Sequence, residues 1–269
     1  MMRIAWLTDI HLNFLNEIHR YEFYEKIIQS QVDCLFITGD IAEAPSLSIF
    51  LFEMEKLLAK PIYFVLGNHD YFRGDISSVR NKMRHLTSER PFLNWLPAIR
   101  GVKLQEGIYL IGHDGWADGR FGDYQHSSII MNDSQLIADL LNAYRLGKSY
   151  LLEKMQALAA YDCDELRENF FRIAMLKPSD VIILLHVPPF KENCLYKGEG
   201  NNEYFLPFYA SQIAGDTLLE IADVYPEIKF LVLCGHVHHR SVYQPRENLI
   251  IKSGHAEYYY PRIEEIIEI

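Results

Sequence analysis

Five short apolar runs punctuate the chain, and each ends in side chains for which a hydrophobic core has no use. Ile4-Ala5-Trp6-Leu7-Thr8 runs into Asp9-Ile10-His11, and Cys34-Leu35-Phe36-Ile37-Thr38 into Gly39-Asp40. Pro61 to Val65 closes on Leu66-Gly67-Asn68-His69-Asp70, Val181 to Leu185 on His186, and Phe230 to Cys234 on Gly235-His236-Val237-His238. Short continuous apolar runs of this kind read as buried strands. In α/β chains ligands bind beyond the carboxyl ends of strands, so these polar endings are the natural place for chemistry.

Helical spacing fills the intervals. Asn16 to Gln31 places Ile18, Phe23, Ile27 and Ile28 on a helix, and Ser46 to Ala59 forms a second, largely apolar one stopped by Pro61. Strand and helix thus alternate over the first third, which predicts parallel pairing with helical crossovers. Asp75 to Thr87 reads as a helix, with Pro91 and Pro97 punctuating a loop beyond it. Ile99 to Leu104 and Ile108 to Gly112 predict a hairpin that opens a more antiparallel second half. The loop from His113 to Tyr124 is rich in Gly and Asp. Asn132 to Leu176 is helical in period, with breaks near Gly147 and Asp162 and with Asp133 or Ser134 as a cap. It is expected to be a helical insertion at about 132–176 within a single domain spanning 1–269. A long loop to Pro207, containing Tyr196, Lys197, Asn201, Asn202 and Tyr204, precedes a helix from Ser211 to Val224. Short alternating runs at Ser241, Leu249 and Ile263 suit antiparallel strands. The fold class is α/β, largely parallel first and more antiparallel later.

Composition narrows the partners. A formal net charge of -10 repels nucleic acid, whose binding relies on Lys and Arg. The four cysteines form no CxxC pair and read as reduced core residues, no signal peptide is evident, and no apolar run is long enough to cross a bilayer. A cytoplasmic protein is expected, and nothing in the sequence specifies an oligomer.

Collected, the strand-end residues are Asp9, His11, Asp40, Asn68, His186, His236 and His238. Carboxylate, imidazole and amide oxygen together suit manganese, iron, zinc or cobalt, whereas calcium or magnesium would want oxygens only. Seven donors exceed the need of one tetrahedral ion and divide naturally between two. Such pairs clamp the attacking and leaving oxygens of displacement at phosphorus.

Asp9-Ile10-His11, Gly39-Asp40, Gly67-Asn68-His69-Asp70, His186 and Gly235-His236-Val237-His238 resemble, in order, the five motifs of the calcineurin-like metallophosphoesterase superfamily. Each motif is weak alone; all five in order are specific. The resemblance spans Asp9 to His238, the insertion excepted. It implies a four-layer α/β/β/α sandwich of two mixed sheets flanked by helices, with two divalent metals, manganese or iron favoured, at one edge. It further implies Asp9, His11 and His238 on the first metal and Asn68, His186 and His236 on the second, with Asp40 bridging. A bridging hydroxide would attack in line, and His69 would protonate the leaving oxygen.

The chain departs from the family's protein phosphatases after Gly39-Asp40, where Ile41-Ala42-Glu43-Ala44 supplies no Arg clamp, which argues against a phosphoprotein substrate. Glu43 or Asp70 is expected to orient His69. His113, Asp114 and His255 stand evenly between a role at the site and loop packing, while Arg73, Arg120 and Arg240 could reach a phosphate or simply be solvated. The Tyr258-Tyr259-Tyr260 run reads as packing or an association surface. The expected function is hydrolysis of a small phosphomonoester or phosphodiester, a nucleotide among the candidates, with a nuclease or a catalytically silent metal-bound scaffold as alternatives.

Overall fold

The structure, a computed structural model, describes residues 1–194 and 202–269. Tyr196, Lys197 and Asn201 of the long loop lie outside them.

The first sheet follows the predicted alternation. Strand β1 (Arg3–Leu7) leads to helix α1 (Glu17–Gln29), whose Asn16 cap accepts a hydrogen bond from the His19 amide. Strand β2 (Cys34–Thr38) leads to α2 (Leu47–Leu58), which ends at Ala59 in a left-handed conformation just ahead of Pro61. Strand β3 (Ile62–Val65) leads to α3 (Ile76–Glu89), capped by Asp75. The stretch between Pro91 and Pro97, expected as loop, instead holds a short edge strand β4 (Leu93–Trp95) before the turn of helix α4 (Leu96–Ile99). Three residues carry too little pattern to declare a strand; pairing with β3 makes it one.

The second sheet takes β5 (Val102–Gln105) and β6 (Ile108–Gly112) as the predicted antiparallel hairpin. Three helices follow: α5 (Asp133–Leu136), α6 (Ala138–Leu146) and α7 (Lys148–Ala174). Then come β7 (Asp180–Leu184), α8 (Gln212–Val224), β8 (Lys229–Cys234), β9 (Ser241–Arg246) and β10 (Leu249–Ser253). The last strand, β11 (Glu265–Glu268), returns to the edge of the first sheet.

Strand orders are β11-β1-β2-β3-β4 and β5-β6-β7-β8-β10-β9. The second half is the more antiparallel one, as expected, since β5, β9 and β11 oppose their neighbours, but β6, β7, β8 and β10 at the centre of the second sheet run parallel. The reason is the connections. β6 reaches β7 through the α5–α7 helices, and β7 reaches β8 through α8, and a helical crossover returns the chain parallel.

Alternation along the strands builds the layers. Ile4, Trp6 and Phe36 of the first sheet face Leu110, Ile182, Leu184 and Leu233 of the second, forming the core between the sheets. The opposite faces, Ala5, Leu7, Leu35 and Ile37, take Phe23, Ile27, Leu51, Met54 and Met83 of α1 to α3. Ile111, Val181, Ile183 and Val232 take Leu166 and Phe170 of α7 with Leu218 and Ile221 of α8. Two mixed sheets flanked by helices give the four layers.

The break expected near Asp162 is also corrected, for α7 runs 27 residues without interruption. Asp162 is a polar residue in mid-helix because its carboxylate is buried against Arg80, with both oxygens 2.8 Å from Nη2. Arg80 also donates from Nε to the Tyr71 hydroxyl and lies 3.2 Å from Asp114. Removing one partner from such a buried set leaves an uncompensated charge, so Arg80→Met is expected to lower stability by about 3–5 kcal/mol in urea denaturation. A loss below about 1 kcal/mol would show that this ion pair does not tie α7 to α3.

Candidate metal centre

The carboxyl ends of β1, β2 and β3 in one sheet and of β7 and β8 in the other meet at one edge of the sandwich. The loops there are stitched to one another. The Asp9 amide donates to the Gly39 carbonyl, the His11 amide to that of Asp40, and the Gly235 amide to that of His186. Asp9, His11, Asp40, His236 and His238 all adopt left-handed backbone, with φ between 40° and 69°. Each such non-glycine residue costs about 1–3 kcal/mol, and strain of this kind collects at functional sites. Gly39 (φ 88°) could carry no side chain at all, since a Cβ would stand 2.6 Å from both the Gly67 nitrogen and His186 Nδ1.

All seven expected ligands come together here, in two groups. Asn68 Oδ1 lies 3.0 Å from His186 Nε2 and 3.0 Å from His236 Nδ1. Asp9 Oδ1 lies 3.2 Å from His238 Nε2, which stands 3.5 Å from His11 Nε2. Asp40 faces both, Oδ1 lying 3.4 Å from His186 Nε2 and Oδ2 3.8 Å from His11 Nε2. Asp9, His11, Asp40 and His238 have ligand atoms all within 4.8 Å of one another, a spacing suited to a cation.

The hydrogen bonds around Asn68 test whether a cation fits. His186 Nδ1 is 2.8 Å from the Thr38 carbonyl and His236 Nε2 is 2.9 Å from that of Phe208. A carbonyl only accepts, so each of those nitrogens carries the proton and the other ring nitrogen presents a lone pair. The Asn68 amide nitrogen donates to Asp133 Oδ1 at 2.8 Å, which turns its oxygen toward the rings. Two imidazole lone pairs and an amide oxygen therefore converge with no proton between them, an arrangement that a cation relieves. Carbonyl-held imidazoles are the usual outer support of metal-binding histidines.

The electrostatics agree. Burial lowers His186 to about 3 and holds His11 and His236 below the ordinary imidazole range, keeping them neutral and ready to bind. Burial also opposes charge on Asp9, yet the hydrogen bond and charge of His238 hold it well below the usual carboxylate range. Asp40 is pushed well above that range by burial, then by the charges of Asp9 and Asp70. Among the described residues its ion-pair partners are imidazoles alone, those of His11, His69 and His186.

His69 borders the cluster, its ring stacked on Phe72 at 4.2 Å with Nε2 3.9 Å from Asp40 Oδ2. The expectation that Asp70 or Glu43 orients it is corrected. Asp70 is buried and accepts from the amides of Ile41, Ala42 and Gly67, so it holds the loops rather than the ring. Glu43 pairs with Arg73 at 3.0 Å, and no described residue hydrogen-bonds His69 Nδ1. Packing, not a carboxylate, sets the ring.

A cavity of about 520 Å³ opens over the cluster, lined by Asp40, Asn68, His69, His236 and His238 together with Tyr209 and Tyr258. No Arg or Lys among the described residues lines it. Arg73, Arg120 and Arg240 pair instead with Glu43, Asp118 and Glu264. His113 and Asp114 belong to the buried Arg80–Asp162 set; with Asp162 they too have metal-like spacing, but the guanidinium already supplies the cation. Asp133 and Tyr258 are among the lining residues that were not expected there. Asp133 looked like a helix cap and carries no motif. Tyr258 stacks near His11, with ring centroids 4.7 Å apart, and follows β10. The strand-end reading of β10 picked out His255 after Ser253-Gly254, not Tyr258 further along the same loop.

The model of the calcineurin-like phosphoesterase family matches residues 2–240. The chain belongs to that family. Solved structures similar to this calcineurin-like phosphoesterase include a phosphopantetheinyl hydrolase from Mycobacterium tuberculosis, with TM-score 0.62 and 13% identity over 95% of this chain and 89% of that one. A dimetal phosphatase from Danio rerio gives 0.56 at 11% identity over 94% and 87%. A Thermus thermophilus protein gives 0.55 at 12% over 94% and 89%. At such identities the likeness is one of fold. No curated protein sequence matches the chain. No helix among the described residues is long and apolar enough to cross a membrane.

Proposed function

We propose that the chain, folded as one domain with the Asp133–Ala174 helices as an insertion, is a dinuclear metal-dependent hydrolase of a small phosphomonoester or phosphodiester. The observation that carries this reading is the convergence of proton-free acceptors on Asn68 Oδ1 beside Asp40, with the His69 imidazole at its border. Asp9, His11 and His238 would hold one ion, Asn68, His186 and His236 the other, and Asp40 both. Manganese or iron suits this donor set best, zinc or cobalt next. A reducing compartment such as the cytoplasm fits the four buried, unpaired cysteines.

Bound there, two divalent cations supply a water acidified toward neutral pH and neutralise charge on the phosphoryl group. Everything else falls to the chain. No guanidinium among the described residues lines the cavity, so Asn68 and the imidazoles of His11, His186, His236 and His238 would hold the ions that neutralise the phosphate. His69 carries the proton for the leaving oxygen at Nε2. Burial lowers that ring to about 4, so it is mostly neutral when the site is empty of anion; the phosphate's own negative charge favours the protonated form.

Turnover of p-nitrophenyl phosphate and bis(p-nitrophenyl) phosphate with added manganese tests the reading. Hydrolysis of at least one is expected. Bound metal without turnover of either would favour a silent scaffold. Asp133→Ala, which frees the Asn68 amide to rotate, is expected to weaken manganese binding by about 10–100-fold in isothermal titration. Unchanged affinity would remove Asp133 from the support of the site.

A further inference from the structure

Behind Asn68 lies a second, narrow cavity of about 40 Å³, which shares Asn68, Ile130, Met131, Asp133 and His236 with the large one. Its remaining wall is mostly apolar, with Ser134 among it, and draws Leu140 and Tyr144 of α6 and Leu151 and Met155 of α7 from the insertion. Trp116, from the loop after β6, closes it. This residue is 5% exposed, and its indole Nε1 has no hydrogen-bond partner among the described residues. An indole N–H can only donate, and a buried donor left unpaired is uncommon and costly. Trp116 therefore keeps a donor that an acceptor from outside the chain can pair.

The lining also holds Asn68, Asp133, Ser134, Tyr144 and His236, so an ordered water can pair with the indole, and a chain that enters has to displace it. Size limits the occupant further. One water needs roughly 10–15 Å³, so this space takes a slim chain of a few atoms and excludes a purine or a sugar ring. Since the cavity adjoins the Asn68 group of ligands, a phosphate held there would direct its ester chain along this wall.

We infer that this cavity is the subsite for the organic group of the substrate, a slim and largely aliphatic chain bearing an oxygen that accepts from Trp116 Nε1. The inference rests on the phosphoesterase reading and narrows it away from nucleotides. It also gives the insertion a role, since α6 and α7 supply the wall that selects the ester.

Two measurements on the manganese-loaded protein test this. Hydrolysis of methyl, propyl and pentyl phosphate should show KM falling by up to about fourfold for each methylene that enters the cavity. Leu140→Phe, or Leu151→Phe if the first does not fold, should flatten that dependence. Separately, 3-methoxypropylphosphonate, an ether of the same chain length that is not hydrolysed, should shift the intrinsic tryptophan emission of the wild type more than pentylphosphonate does, and neither should shift it in Trp116→Phe. Turnover of p-nitrophenyl phosphate with a flat chain-length series and no emission change overturns the subsite and leaves the phosphoesterase reading standing. Failure to hydrolyse any ester falls on that reading instead, and the emission of the wild type with the two phosphonates then decides the subsite alone.

Discussion

Asp40→Ala is expected to lose both metal ions and, with them, on the order of 10³-fold or more of the hydrolytic rate, the several kcal/mol that a two-metal clamp supplies. The physical reason is the position of this carboxylate. The two oxygens of Asp40 face opposite ligand groups, one toward His186 and the other toward His11. It is buried beside Asp9 and Asp70, so its charge is held at a cost that a nearby cation offsets. Oδ1 also accepts from the His69 amide at 2.8 Å, which ties the second and third motif loops together. Asp40→Asn separates the two roles, since it keeps the shape and loses the charge. Elemental analysis of both variants reads the outcome; two ions retained at full occupancy in Asp40→Ala would contradict a bridging role.

His69→Ala is expected to behave in the opposite way, keeping its metals while losing roughly 10²–10⁴-fold of turnover on esters with poor leaving groups. An alkoxide needs a proton as it departs, whereas p-nitrophenolate scarcely does. The loss on p-nitrophenyl phosphate should therefore be far smaller than the loss on an alkyl phosphate. The ring is placed by stacking on Phe72 and by its edge against His11, not by a side-chain hydrogen bond, and after truncation Asp40 keeps His11, His186 and the His69 amide as partners. Equal turnover of the alkyl ester by wild type and variant would remove His69 from proton transfer.

The site was legible because its donors are locally conspicuous. A His or Asp at the end of a run such as Phe230 to Cys234 has no packing reason to be there, and five repetitions of that anomaly define a set. What the chain did not disclose is how neighbours occupy one another. Asp70 and Glu43 stood beside His69 in sequence, but the amides of Ile41, Ala42 and Gly67 claim the first and Arg73 the second. Asp133 reaches Asn68 from 65 residues away, a relation that no local spacing encodes. The same limit governs the fold. Period and caps located α1, α2 and α3 to within a residue or two, because those signals are local. The direction of β8 against β10 depends on where a connection returns, and Asp162 looked like a helix break because its partner Arg80 lies on another helix.

Whether seven side chains from five strand ends hold an adjacent pair of cations is decided by anomalous scattering from crystals soaked in manganese. Two peaks roughly 3.5–4 Å apart are expected, one among Asp9, His11 and His238, the other among Asn68, His186 and His236, with Asp40 touching both. A blank anomalous map at this edge, or a single ion held elsewhere, would contradict the dinuclear centre.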